Sequence, residues 1–201
     1  AVCALLLGCG AAPDARGGNH GATALHRAAQ RGRAGAVQVL LEGGADPSLP
    51  LNTGTLPIHF ASEKGFIDIA RLLLAYDGTS LTSNALDHQG IAPLHMAAYN
   101  GHVNSVELLL SFGASVDIPC KAFGNSTALI LATKQGHLRT VQVLLKASAN
   151  KSIADSTGKT ASDYALERRD YDLINTLASD DGFTDEYSPA VGGGTLIEEE
   201  L

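Results

Sequence analysis

The sequence predicts an all-α solenoid in which similar helix–turn–helix units, joined by short β-turn fingers, stack along the chain. Two short motifs recur at intervals of 33 to 36 residues, a spacing typical of repeated helix pairs. The 201 residues also include 30 Ala and 28 Leu but no Trp. Ala and Leu favour closely packed helices over an aromatic-rich β-sandwich. A single unit cannot bury its apolar face alone, so we expect its stability to come from neighbouring units.

The first motif consists of a turn residue, small or polar residues, an aliphatic residue, a histidine and two small residues. Pro57 and Pro93 lie within it, at a position where the first helical turn does not need a backbone N–H. The motif therefore predicts the start of the first helix of each unit. Its five copies begin at Gly21, Gly54, Gly90, Asn125 and Gly158.

The second motif is an aliphatic triplet followed by a turn of Gly or small residues, and it predicts the end of the second helix of each unit. Between the two helices lies a glycine, which adopts a positive φ at low cost. These glycines are Gly32, Gly65, Gly101 and Gly136. The triplets end at Leu7, Leu41, Leu74, Leu110 and Leu145.

These residues resemble the ankyrin repeat, which has a period of about 33 residues and a Thr-Pro-Leu-His-x-Ala signature. The resemblance covers about residues 1–178. It implies a partial N-terminal repeat at residues 1–10, four full repeats and a C-terminal capping repeat with a polar end. Residues 179–201 would then form an acidic, Gly-containing tail. The capping repeat carries charged side chains such as Glu167, Arg168 and Asp170.

The signature predicts a local hydrogen-bond pair at each helix start. A Thr hydroxyl and a His three residues later, as in Thr23 and His26, are placed to bond to each other. We expect these local bonds to be lost where the signature is broken. The replaced positions are Leu56 and Ala92 in place of Thr, and Ile130 and Asp163 in place of His.

The charge of the chain is unevenly distributed. The formal net charge is −7, yet residues 1–178 hold as many acidic as basic side chains, and the whole excess lies in residues 179–201. A neutral body argues against nucleic-acid binding, which requires a concentrated basic surface. The tail combines Gly192, Gly193 and Gly194 with the acidic, aliphatic segment 195–201. Three interpretations remain open: a solvated tail, an engineered tether, or a segment that docks on the same or a neighbouring molecule.

Several function classes are disfavoured. Cys3, Cys9 and Cys120 fit neither a disulfide framework nor a Cys-x-x-Cys metal site, which indicates free thiols in a reducing compartment, the cytoplasm or the nucleus. No apolar run approaches the roughly 18 residues of a membrane span, so no membrane insertion is expected. No hydrolase, zincin or kinase motif is present, and Ile153 breaks the phosphate-loop pattern that ends at Thr160. We expect no enzyme activity, no cofactor and no metal.

The resemblance instead implies a surface that binds a partner. In the ankyrin family, partners lie along the concave side formed by finger tips and first helices. In the first full repeat the positions mapped to this side include Asn19, His20, Ala22 and Gln30. The residues that we expect to contact a partner are Arg31, Lys64, His88, Ile91, Tyr99, Asn100, Phe123, Lys134, Gln135 and Lys159.

Tyr99 and Phe123 are the expected apolar anchors of this surface, flanked by Lys64 and Lys134. This combination predicts an acidic or amphipathic peptide as partner, including the tail itself. The sequence therefore predicts a non-catalytic protein-interaction module or scaffold. The alternative is a regulatory ankyrin segment of a larger multidomain enzyme or channel.

Overall fold

The computed structural model describes residues 8–77 and 82–179, and it confirms the predicted all-α repeat solenoid. Residues 1–7, which hold most of the predicted partial repeat, and the acidic residues 180–201 lie outside the described residues. The helices are α1 (Ala24–Gln30), α2 (Ala34–Glu42), α3 (Pro57–Lys64), α4 (Ile67–Asp77), α5 (Pro93–Tyr99), α6 (Val103–Ser111), α7 (Ala128–Gln135), α8 (Leu138–Lys146), α9 (Ala161–Arg168) and α10 (Tyr171–Ala178).

The helices pack in two parallel rows. We call α1, α3, α5, α7 and α9 the inner helices and the other five the outer helices. Each inner helix contacts the next inner helix and the outer helix of its own pair. Each outer helix likewise contacts the next outer helix. The repeats therefore bury their apolar faces against their neighbours, as the sequence period requires.

The core repeats with the same period. Leu25, Ile58, Leu94 and Leu129 take one position of successive inner helices, and each is at most 2% exposed. Burial of such a side chain stabilises the fold by roughly 1.5–3 kcal/mol. The outer row supplies a second buried series: Leu40, Leu73, Leu109, Leu144 and Leu177.

The C-terminal end of the stack is less polar than the sequence suggests. Leu166 of α9 is 58% exposed, and Tyr171 of α10 is 75% exposed. In the preceding repeats the position of Leu166 is fully covered by the next repeat, as at Ala98 and Thr133. The last repeat has no such neighbour among the described residues, and its two large apolar side chains face outward.

The helix starts show the predicted Thr–His pairing. The Thr23 hydroxyl lies 2.9 Å from His26 Nδ1, which also accepts from the Thr23 N–H. His59 and His95 keep the second of these bonds, because Nδ1 accepts from the N–H of Leu56 and Ala92. The expected loss at Asp163 is wrong, since its carboxylate accepts from both the Thr160 N–H and hydroxyl. A carboxylate replaces imidazole here because each supplies an acceptor at this position.

Candidate functional site

The candidate surface is formed by the fingers, which are the loops that enter the inner helices, together with the exposed side of those helices. We call it the finger face. A backbone hydrogen bond joins each finger to the next. In these four bonds, the N–H groups of Asn52, His88, Ala122 and Ser156 donate to the carbonyl oxygens of His20, Thr53, Gln89 and Gly124, respectively. These bonds hold the fingers in one continuous row.

The buried histidines of the inner helices strengthen this row. Since their Nδ1 atoms accept from backbone N–H groups, the ring proton lies on Nε2. The Nε2 of His26, His59 and His95 donates to a carbonyl of the following finger, at distances of 3.2, 3.0 and 2.7 Å. Desolvation lowers the pKa of all three imidazoles, which favours the neutral form that this geometry needs. Sequence reasoning predicted bonds within one repeat and missed these bonds between repeats.

Tyr99 and Phe123 meet in the middle of the finger face. Their rings stack with centroids 5.3 Å apart and an interplanar angle of 20°. Tyr99 ends α5, and Phe123 ends the short 3₁₀ turn Lys121–Phe123 of the next finger. Both side chains are half-buried, so the pair offers an aromatic surface of fixed geometry.

Lys134 does not lie free beside this pair. Its ammonium group is 2.9 Å from Asp155 Oδ2 and 4.2 Å from the centroid of the Tyr164 ring. Asp155 is buried and also accepts from the hydroxyls of Thr157 and Tyr164. Desolvation opposes the charge on both groups, but the hydrogen bonds lower the pKa of Asp155 and raise that of Lys134. Lys134 therefore joins the last two repeats, and its predicted role as a partner contact stays a prediction.

Ile91 is a correction to the predicted set of partner contacts. Its side chain is only 5% exposed, so it is not available to a partner. The backbone explains this placement, because the Ile91 carbonyl accepts from His59 and its N–H donates to Asp87. The finger is thus held against the helix below it, and the side chain points inward.

The remaining predicted residues lie at the surface, and their role in binding stays a prediction. Two of the basic groups are paired with acids, Lys64 with Glu63 and Lys159 with Glu167. The exposed side chains are those of Arg31, His88, Asn100 and Gln135.

Sequence reasoning missed a cleft at the N-terminal end of the finger face. This N-terminal cleft has a volume of about 290 Å³ and lies between the first finger, α1 and α3. Leu51 and Phe60 contribute apolar surface, while Arg27 and Gln30 contribute polar groups. The signal was present in the sequence, since residues 15–41 contain four arginines and no acidic residue.

Two kinds of feature are absent from the described residues. Within residues 8–77 and 82–179, no group of three His, Cys, Asp or Glu side chains is arranged to hold a metal ion. In the same part of the chain, no helix has the length and apolar character needed to cross a membrane.

Comparison with known families agrees with this architecture. The family described as "Ankyrin repeats (3 copies)" matches residues 37–120 and 94–186, and the family "Ankyrin repeat" matches residues 20–50. The chain belongs to the ankyrin repeat family. Ankyrin repeats are in general non-catalytic modules that bind other proteins.

Curated ankyrin-repeat relatives are much longer proteins. Neurogenic locus notch homolog protein 1 of Xenopus tropicalis is 31% identical over 140 residues, which are 70% of this chain and 5% of that protein. E3 ubiquitin-protein ligase KEG of Arabidopsis thaliana is 37% identical over 70 residues, 35% of this chain and 4% of that protein. Ankyrin repeat and SOCS box protein 14 of Homo sapiens is 44% identical over 50 residues, 25% of this chain and 8% of that protein.

Proposed function

We propose that this chain is a non-catalytic interaction module whose finger face, the concave side in the ankyrin family, binds a partner peptide or protein surface. The observation that carries the proposal is the stacked pair of Tyr99 and Phe123. The row of backbone hydrogen bonds between fingers supports it, because a preformed surface loses little conformational entropy on binding.

The chemistry of the surface favours an acidic or amphipathic partner. The aromatic pair offers contact to an apolar side chain, and Arg31 offers an exposed positive charge on the same face. Aromatic and arginine side chains dominate the binding free energy of many protein interfaces. Buried Cys120 and exposed Cys9 are free thiols, which supports a cytoplasmic or nuclear location.

A second candidate function is that of a regulatory segment of a larger enzyme or channel. The relatives favour it, because the chain spans only 4% of the matched E3 ubiquitin-protein ligase. Under this proposal the finger face binds another part of the same polypeptide. The full-length coding sequence that contains this segment distinguishes the two candidates.

The test is a binding experiment on a doubly substituted chain, Tyr99→Ala with Phe123→Ala. Partners captured by the unmodified chain are identified by mass spectrometry, and their affinities for both chains are then measured. We expect at least a roughly tenfold loss of affinity, since an aromatic anchor contributes about 2 kcal/mol or more.

The matched control replaces two aromatic residues outside the finger face, Tyr76→Ala with Tyr171→Ala. Both side chains lie on outer helices and are at least 48% exposed. We expect the control to retain the affinity of the unmodified chain. Equal affinity of the Tyr99, Phe123 variant and the unmodified chain would show that the partner binds elsewhere.

A further inference from the structure

We propose that the N-terminal cleft binds the acidic segment 195–201 of the same chain. In this arrangement the Arg27 guanidinium pairs with a glutamate carboxylate, and the apolar wall of Leu51 and Phe60 receives an aliphatic side chain. The inference rests on the proposed function, because the segment would occupy the finger face and compete with an outside partner there.

Part of the unpaired positive charge of the finger face lies at this cleft. Lys64, Lys134 and Lys159 each pair with an acidic side chain. Among residues 8–77 and 82–179, the cations of this face without an acidic partner are Arg27, Arg31, Lys121 and Arg168. Of these four, Arg27 lines the N-terminal cleft, where an arginine carboxylate pair can form beside apolar surface.

The cleft combines this charge with apolar surface. The Arg27 guanidinium extends toward the first finger, where a Cβ at Gly18 would lie 3.2 Å from Nη2. Asn19 and Gln30 line the same cleft and add hydrogen-bonding groups. Its volume is near the lower end of the range for ligand pockets, roughly 300 Å³, which suits a short peptide stretch.

The segment has the complementary chemistry. Glu198, Glu199 and Glu200 follow directly after Leu196 and Ile197. Residues 180–201 contain seven acidic side chains and no basic one, so they carry charge equal to the whole net charge of the chain. The segment therefore places carboxylates beside aliphatic side chains, and the cleft places the Arg27 guanidinium beside the apolar side chains of Leu51 and Phe60.

The chain is long enough to make this contact within one molecule. Packed helices lie about 10 Å apart, so the step from α10 to α9 and the four steps from α9 to α1 together cover at most roughly 50 Å. The 17 residue steps from Ser179 to Leu196 span at most roughly 60 Å. Tethering also raises the effective concentration of the segment, which makes weak individual contacts sufficient.

The experiment compares amide resonances of residues 195–201 in the full chain with those of a synthetic peptide of the same seven residues. We expect the two sets of chemical shifts to differ, and the difference to disappear in the Arg27→Glu chain. Replacement of Glu198, Glu199 and Glu200 by Gln is expected to shift the resonances of residues 17–20 and Gln30. The Arg71→Glu chain is the control, because Arg71 is exposed on outer helix α4.

Chemical shifts of residues 195–201 that match those of the free peptide would overturn the inference. Differences that disappear on dilution would also overturn it, because they would arise from contacts between chains. The proposed function is tested separately by partner affinity of the Tyr99→Ala, Phe123→Ala chain, so either proposal can fail alone. Unfolding curves of each variant confirm that the shifts report docking in a folded chain.

Discussion

The imidazole of His102 covers Gly65 of the preceding repeat, so that a Cβ at position 65 would lie 2.7 Å from Nδ1. The ring is fixed there, because its Nε2 donates to the Glu63 carbonyl at 3.0 Å. His137 covers Gly101 in the same way, and its Nε2 donates to the Tyr99 carbonyl. These glycines therefore meet two requirements, a positive φ and close contact with the next repeat.

Gly65→Ala is expected to destabilise the chain more than Gly44→Ala. Both glycines have a positive φ, 70° and 86°, but the position at Gly44 has nothing within 4 Å of a Cβ. The shared backbone strain costs about 1–2 kcal/mol, and the steric clash at Gly65 adds about 1–3 kcal/mol. Chemical denaturation of both variants measures the difference. Equal losses of stability would show that the His102 ring moves away without cost.

The position of these glycines could be predicted from the sequence, but the second requirement could not. The period of the motifs fixes where each turn lies, and a turn between helices favours glycine. The contact with His102 depends on how two repeats pack, and Phe66 takes the corresponding position over Gly32. Phenylalanine and histidine thus both cover the glycine of the preceding repeat. A comparison of the repeat sequences does not show this shared role, because the residue type is not repeated.

Stability is expected to fall as the pH drops below about 6.5. The pKa values of His26, His59 and His95 are lowered by desolvation in the fold. Below the ordinary histidine pKa of about 6.5, the unfolded chain therefore binds protons that the folded chain does not. Between its unfolded and folded pKa values, each histidine lowers the free energy of unfolding by up to about 1.4 kcal/mol for every pH unit of acidification.

The measurement is the free energy of unfolding on both sides of that pH. His59→Gln is the informative variant, since it removes one titrating group at a buried site and should reduce the slope. A free energy of unfolding that does not change between neutral and mildly acidic pH would contradict the assignment of neutral, buried imidazoles.

Asp155→Ala is expected to cost about 3 kcal/mol, because it leaves the Lys134 ammonium group without its partner in a partly buried position. The Tyr164 hydroxyl also loses its acceptor. Thermal or chemical unfolding measures the loss. The control is Glu167→Gln, which breaks the exposed pair with Lys159 and should change stability little.

A double-mutant cycle adds a sharper criterion. In the Lys134→Met background, Asp155→Ala should cost less than in the unmodified chain, since no ammonium group is left unpaired. Additive losses would indicate that Asp155 acts mainly through Tyr164 and Thr157.

The sequence placed Lys134 on the right side of its helix but could not show that its charge is neutralised. Asp155 lies 21 residues away in the next finger, and the pairing depends on how that finger is held. The repeat period therefore predicts which residues lie at the surface. Which of their charges are unpaired can be seen only in the packed structure. The excess of arginine over residues 15–41 was the one local signal that pointed to the N-terminal cleft.

Ile91→Ala is expected to reduce stability without a direct effect on partner binding. The side chain is 5% exposed, and removal of buried methyl and methylene groups from Ile costs about 2–5 kcal/mol. Asn100→Ala is the matched variant, because Asn100 is exposed on the finger face and should change stability little. Unfolding measurements and partner affinity under fully folded conditions separate the two effects. If Ile91→Ala weakened binding while its stability stayed unchanged, the side chain would have to reach the surface, in conflict with the finger held by His59 and Asp87.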